Sequence, residues 1–131
     1  MKVISTSHFK RQSQQNLTQE QVDSFVAQVK EQLGLQAFEV YLSGDSLRLM
    51  SLIVPKANRK RGIGSQAMQM LNQFADQHGL RITLTPGVKD GYHGTTSYNR
   101  LVRFYRNNGY IQNKGRNKDY SLSDGMYRNP S

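Results

Sequence analysis

The chain has 131 residues, enough for one domain with a buried core and too few for a second. Eighteen Lys and Arg against nine Asp and Glu give a formal charge of +9, which favours polyanionic ligands or partners. There is no cysteine, hence no disulfide framework and no thiol nucleophile; with no long apolar run and no charged-apolar-small leader, neither a membrane span nor a secretory signal is expected, and the expected setting is cytoplasmic.

Residues 2–5 fit a short strand, and residues 6–16, rich in Gln and Ser, read as a loop or mobile arm. Thr18 is placed as a helix N-cap with Gln21 completing a capping box; Val22, Phe25, Val26, Val29 and Leu33 follow at helical spacing until Gly34. Residues 37–42 alternate like a strand, Gly44-Asp45 makes a turn, and residues 47–54 form a second strand whose end is wholly apolar. A central helix is predicted over residues 65–78, with Ala67, Met68, Leu71, Phe74 and Ala75 on one face and Gly79 as its stop. Its methionines read as core filler, and His78 as a partner for the helix C-terminal dipole. Residues 81–85 make the next strand, ended by Pro86-Gly87, and a long Gly-containing loop runs to Thr96. A helix over residues 98–107 precedes two short segments, 110–112 and 120–123, that pair as antiparallel strands. The fold class is α/β: a mixed, mostly antiparallel sheet flanked by helices, in a single domain spanning residues 1–131.

The most informative stretch is Arg59-Lys60-Arg61-Gly62-Ile63-Gly64-Ser65-Gln66, between an apolar strand and a helix. Glycines at 62 and 64 permit positive φ and close backbone approach, so the free N–H groups of the first helical turn can face an anion that also feels the helix dipole. The pattern is not a Walker A loop, which needs four residues between its glycines and then Lys-Ser/Thr. Nor is it a dinucleotide fingerprint, which needs a third glycine where Ala67 stands. An Arg/Gly-rich strand-to-helix turn also serves as a simple tight connection.

Arg-x-x-Gly-x-Gly in this position resembles the acetyl-CoA pyrophosphate loop of the GNAT superfamily of N-acetyltransferases. A second segment, from Asn99 through Phe104-Tyr105 to Gly109-Tyr110, resembles the other signature of that superfamily, in the same order along the chain. Residues 113–128 look like the tail of its small bacterial and phage members. The likeness covers roughly residues 47–131, and it implies a GNAT-like sheet with splayed central strands and a compact N-terminal part that lacks a strand or helix.

The resemblance implies that the pantetheine arm of acetyl-CoA enters between the strand before the phosphate loop and the strand after the central helix, pairing with exposed backbone at Leu52, Ile53 and Val54. It assigns the pyrophosphate to backbone N–H groups of Arg61, Gly62, Ile63, Gly64 and Ser65, with Arg59 and Lys60 as side-chain candidates. Asn99 corresponds to the residue that bonds the pantetheine arm, Phe104 walls the channel, and Tyr105 corresponds to the tyrosine that protonates the departing thiolate. A neutral phenol suits that role, although at helical spacing a packed core aromatic is the plain alternative. No carboxylate stands on residues 47–54 to act as base; His93 is the candidate, with Asp90 as another, and Thr85, Tyr92 and His93 are placed at the acceptor. No metal is implied, and a homodimer is compatible with the likeness.

The implied activity moves an acetyl group to a primary amine on a protein lysine or a small molecule. Seven basic residues against Asp119 and Asp124 after residue 94, interleaved with tyrosines, leave two alternatives: a tRNA-acetylating toxin-like enzyme, or a degenerate basic module that binds CoA or a partner without turnover. Nucleic acid ranks below the amine acceptor.

Overall fold

The computed structural model describes residues 17–59, 61–87 and 98–131. Helix α1 (Gln19–Leu33) leads into strands β1 (Ala37–Ser43) and β2 (Ser46–Ile53). After a 3-10 turn (Lys56–Asn58) come α2 (Ile63–Gln77), β3 (Arg81–Leu84), α3 (Tyr98–Asn107), β4 (Ile111–Gln112), a second 3-10 turn (Gly115–Asn117) and β5 (Met126–Arg128). The five strands form one mixed sheet in the order β1-β2-β3-β5-β4. Among the described residues only β2 and β3 run parallel; β1–β2, β3–β5 and β4–β5 are antiparallel.

Local chemistry sets the first elements. The Thr18 hydroxyl accepts from the Gln21 N–H at 3.2 Å while the Gln21 side chain accepts from the Thr18 N–H at 2.9 Å, so the capping box starts α1 as expected. Gln19 then bridges to the sheet: its amide donates to the Val40 carbonyl at 3.1 Å and accepts from the Leu42 N–H at 2.7 Å. Those β1 groups lie on the edge away from β2, so one side chain occupies backbone that would otherwise be open to strand pairing. Val22, Val26 and Val29 bury the inner face of α1, and Phe25 stacks on Phe74 of α2 with ring centroids 4.1 Å apart.

On β2 and β3, Leu47, Leu49, Ile82 and Leu84 are buried with Ala67, Met68 and Leu71 of α2 in one core. Alternation sends Ser46, Arg48, Arg81 and Thr83 to the opposite face, where the parallel register sets Ser46 beside Arg81 and Arg48 beside Thr83. That register runs only to Leu49 beside Leu84, while β2 continues to Ile53. At the far side of α2, Asn72 accepts from the Tyr110 hydroxyl at 2.8 Å and donates to the Asn108 carbonyl at 3.0 Å, a buried network joining α2 to the exit of α3. Burial pushes the Tyr110 phenol far above its ordinary range, so it is a fixed donor here. Arg128 of β5 grips Asp76 of α2 through two hydrogen bonds of 2.8 and 2.9 Å.

The last strand differs from the sequence expectation. Residues 120–123 are not a strand; β5 lies at Met126–Arg128, between β3 and β4. The reason is side-chain competition for backbone groups. The Asp119 carboxylate takes the Ser121 N–H at 3.0 Å and its hydroxyl at 2.6 Å, and Asn113, itself buried, donates to the carbonyls of Leu122 and Asp124 at 3.3 and 2.9 Å. Tyr120 is left 88% exposed, beneath the Lys118 ammonium at 5.7 Å. The predicted strand at residues 2–5 and the arm at residues 6–16 lie outside the described residues. Among the described residues no helix is long and apolar enough to cross a membrane.

Candidate functional site

The loop between β2 and α2 is held from below. Arg59 Nε donates to the Val54 carbonyl at 3.0 Å, so the first cation of the motif ties the loop base to the end of β2. Gly62 is the N-cap of α2 at φ 75°, ψ 13°, a left-handed conformation where a side chain is strained, and a Cβ there would meet nothing within 4 Å. The helix therefore starts two residues before the predicted Ser65. Its first turn has no side-chain cap and no acidic residue, leaving the N–H groups of Ile63, Gly64 and Ser65 without intrahelical partners beside Arg61 and Gly62, which are both exposed.

Gly64 does not have the backbone conformation that the sequence suggested. Its φ is not positive; it lies within α2, and what it supplies is space. A Cβ at Gly64 would stand 3.2 Å from Phe104 Cζ and 3.8 Å from Val54 Cγ2. Next to this contact, the Asn108 amide donates to Ser65 Oγ at 3.3 Å and to the Phe104 carbonyl at 2.9 Å. Two segments some forty residues apart, the Arg/Gly loop and the Asn-Phe-Tyr helix, are thus in direct contact at Gly64–Phe104 and Ser65–Asn108. Nothing in the sequence marks Asn108 from the neighbouring Asn107.

Tyr105 is buried, 4% exposed, with its ring edge-on to Phe104 at 5.0 Å and to Tyr110 at 6.1 Å. It belongs to the core as well as to the motif. Asn99 is exposed on the first turn of α3. Leu52 and Val54 are buried, Ile53 is partly buried, and the Ile53 carbonyl is taken by the Gln36 N–H at 2.8 Å on the β1 side. His78 closes α2 as its C-cap and leans on Phe74, ring centroids 4.7 Å apart. Lys60, Asp90, Tyr92 and His93 lie outside the described residues.

A second group of side chains was not legible in the sequence at all. Asp124 reaches the sheet face away from α2, where Arg48 Nε and Nη2 donate to Oδ2 at 3.2 and 3.1 Å and the Thr85 hydroxyl donates to Oδ1 at 3.3 Å. The Gly125 N–H donates in turn to that hydroxyl at 3.2 Å. Thr85 is the first residue beyond β3, so this carboxylate stands where the paired register of β2 and β3 ends. Asn113 fixes it there by holding the Asp124 carbonyl. Nearby, Arg81 pairs with Asp119 at 2.7 Å and lies 5.1 Å over the Tyr127 ring. Asp119 is held down to about 2 by the hydrogen bonds from Ser121 first and from Arg81 second. Among the described residues no group of three His, Asp or Glu side chains converges to hold a metal ion.

No protein-family model, curated protein or solved structure matches this chain.

Proposed function

We propose that the protein is an acetyl-CoA-dependent N-acetyltransferase, with the phosphate groups of acetyl-CoA bound at the start of α2 and Tyr105 as the proton donor to the departing thiolate. The observation that carries this reading is the contact between the two motifs: the Gly64–Phe104 and Ser65–Asn108 contacts join the anion-binding helix start to the helix that carries Tyr105.

The donor set fits a diphosphate. The first turn of α2 offers uncapped N–H groups, the loop carries arginines at 59 and 61, and the space at Gly62 is open. The parallel pair β2–β3 supports the same reading, because backbone at residues 50–53 extends past the last paired position, as an extended ligand adding to a strand edge requires. Acetyl-CoA supplies the acyl group as a thioester, already activated toward an amine. What the chain supplies is positioning: amide N–H groups and arginines hold the anionic end, Phe104 and Val54 wall the approach, and the Tyr105 hydroxyl is the proton donor to the thiolate. The acceptor is a primary amine, and the tRNA-acetylating and non-catalytic alternatives gain no particular support from these contacts.

Turnover tests the assignment of Tyr105. Removing one proton donor of this kind lowers rates about 10²–10⁴-fold. Tyr105→Phe should keep acetyl-CoA affinity and lose CoA release in the presence of an amine by about that factor, whereas unchanged turnover with intact binding refutes the role.

A further inference from the structure

The face of the sheet away from α2 holds a cavity of about 780 Å³, within the range of small-molecule sites. Ser46, Arg48, Arg81 and Thr83 of β2 and β3 line it, and Asp45, Asp124 and Ser123 contribute from the surrounding turns. Both arginines are already committed, Arg48 to Asp124 at 3.1 Å and Arg81 to Asp119 at 2.7 Å. In a chain of charge +9 this is therefore a place where fixed cations are neutralised, with carboxylates at Asp45 and Asp124. A carboxylate has about four acceptor positions. The contacts from Arg48 Nε, Arg48 Nη2 and the Thr85 hydroxyl leave Asp124 capacity for one further donor.

We propose that this cavity seats the acyl acceptor and that the acceptor is a small hydroxylated amine, its ammonium group held at the Asp124 carboxylate until it gives a proton to solvent; the neutral amine then forms the C–N bond as the C–S bond of the thioester breaks, and the departing thiolate takes the Tyr105 proton. The inference rests on the acetyltransferase reading above. Two features select the class. Among the described residues the lining carries five hydroxyls, from Ser43, Ser46, Thr83, Ser121 and Ser123, against the aliphatic side chains of Leu122 and Pro130, so a polyhydroxylated molecule finds partners where the four methylenes of a protein lysine would find little apolar wall. And Asp124 is bonded to Thr85 where β2 and β3 part, so an amine held there is at the break in the sheet that the acyl donor is proposed to enter.

Amide chemical-shift mapping on the full chain tests this, with glucosamine as the probe, Nα-acetyl-lysine amide as competitor and acetyl-CoA as a separate titrant. Glucosamine should shift the amides of Thr83, Ser123 and Asp124. Its affinity should fall at least tenfold in Asp124→Asn, and its shifts should vanish in Ser123→Trp, whose indole would occupy the cavity. Acetyl-CoA should shift Ile63, Gly64 and Ser65 alike in all three proteins. If glucosamine leaves the cavity amides unmoved, binds Asp124→Asn as tightly as the parent, or binds more weakly than the lysine amide, the proposal is overturned. Normal glucosamine behaviour with no acetyl-CoA shifts in the α2 turn would refute the acetyltransferase reading while leaving the cavity an amine site.

Discussion

Replacing Gly64 with alanine separates two reasons for a glycine. In an unobstructed helix, Gly→Ala gains about 1 kcal/mol. At Gly64 the new Cβ would stand 3.2 Å from Phe104 Cζ and 3.5 Å from Cε1, so the ring must move by a few tenths of an ångström. That ring is itself packed against Tyr105 at 5.0 Å. Overpacking of this kind costs about 1–3 kcal/mol, which leaves a net loss of about 1 kcal/mol, or ~4 °C in Tm for a domain of this size. Gly62→Ala has open space but a φ of 75°, and should cost about 1–2 kcal/mol from backbone conformation alone. Phe104→Leu discriminates between them. In urea unfolding, the Gly64→Ala/Phe104→Leu double-mutant cycle should show coupling of at least ~1 kcal/mol, while Gly62→Ala with Phe104→Leu should be additive within about 0.5 kcal/mol. A stabilising Gly64→Ala, or a cycle at Gly64 that is merely additive, would show that Phe104 does not constrain the start of α2 and would remove the contact on which the functional reading stands.

Tyr110→Phe should cost about 1–3 kcal/mol in chemical denaturation, because it strands the buried Asn72 Oδ1 without its 2.8 Å donor. A loss below ~0.5 kcal/mol would mean that Asn72 finds another partner. Asp76 and Asp119 both have folded pKa values below 3.8, Asp76 through its hydrogen bond from Arg128 and Asp119, at about 2, through those from Ser121 and Arg81. A lowered carboxylate contributes stability that is present above its unfolded pKa and lost as pH falls through the folded one, so stability should decline below about pH 4. That decline should be shallower in Asp119→Asn; an unchanged acid limb would contradict the assignment.

Much of the fold was legible because its signals are local. Thr18 with Gln21, Gly34, and the Gly44-Asp45 turn each act within a few residues, and α1, β1 and β2 fall where the sequence put them to within a residue or so. The start of α2 was placed two residues late because Gly62 caps it through backbone conformation, with no side-chain signal to read. β5 was missed for a different reason. Three residues give no usable periodicity, and the segment mistaken for it is held as a turn by Asn113 and Asp119. Asp124 depends on that turn and on an arginine far away in sequence, so no local pattern along β2 marks it.

If the contact between the two motifs builds an acetyl-CoA site, acetyl-CoA should raise the thermal unfolding temperature of the protein. At a ligand concentration of 100 Kd the expected stabilisation is about 2.7 kcal/mol, a rise of ~10 °C in Tm, that disappears in Gly64→Asp, where a carboxylate would enter the first turn of α2 beside Phe104. No rise at millimolar acetyl-CoA, or an equal rise in Gly64→Asp, would contradict it.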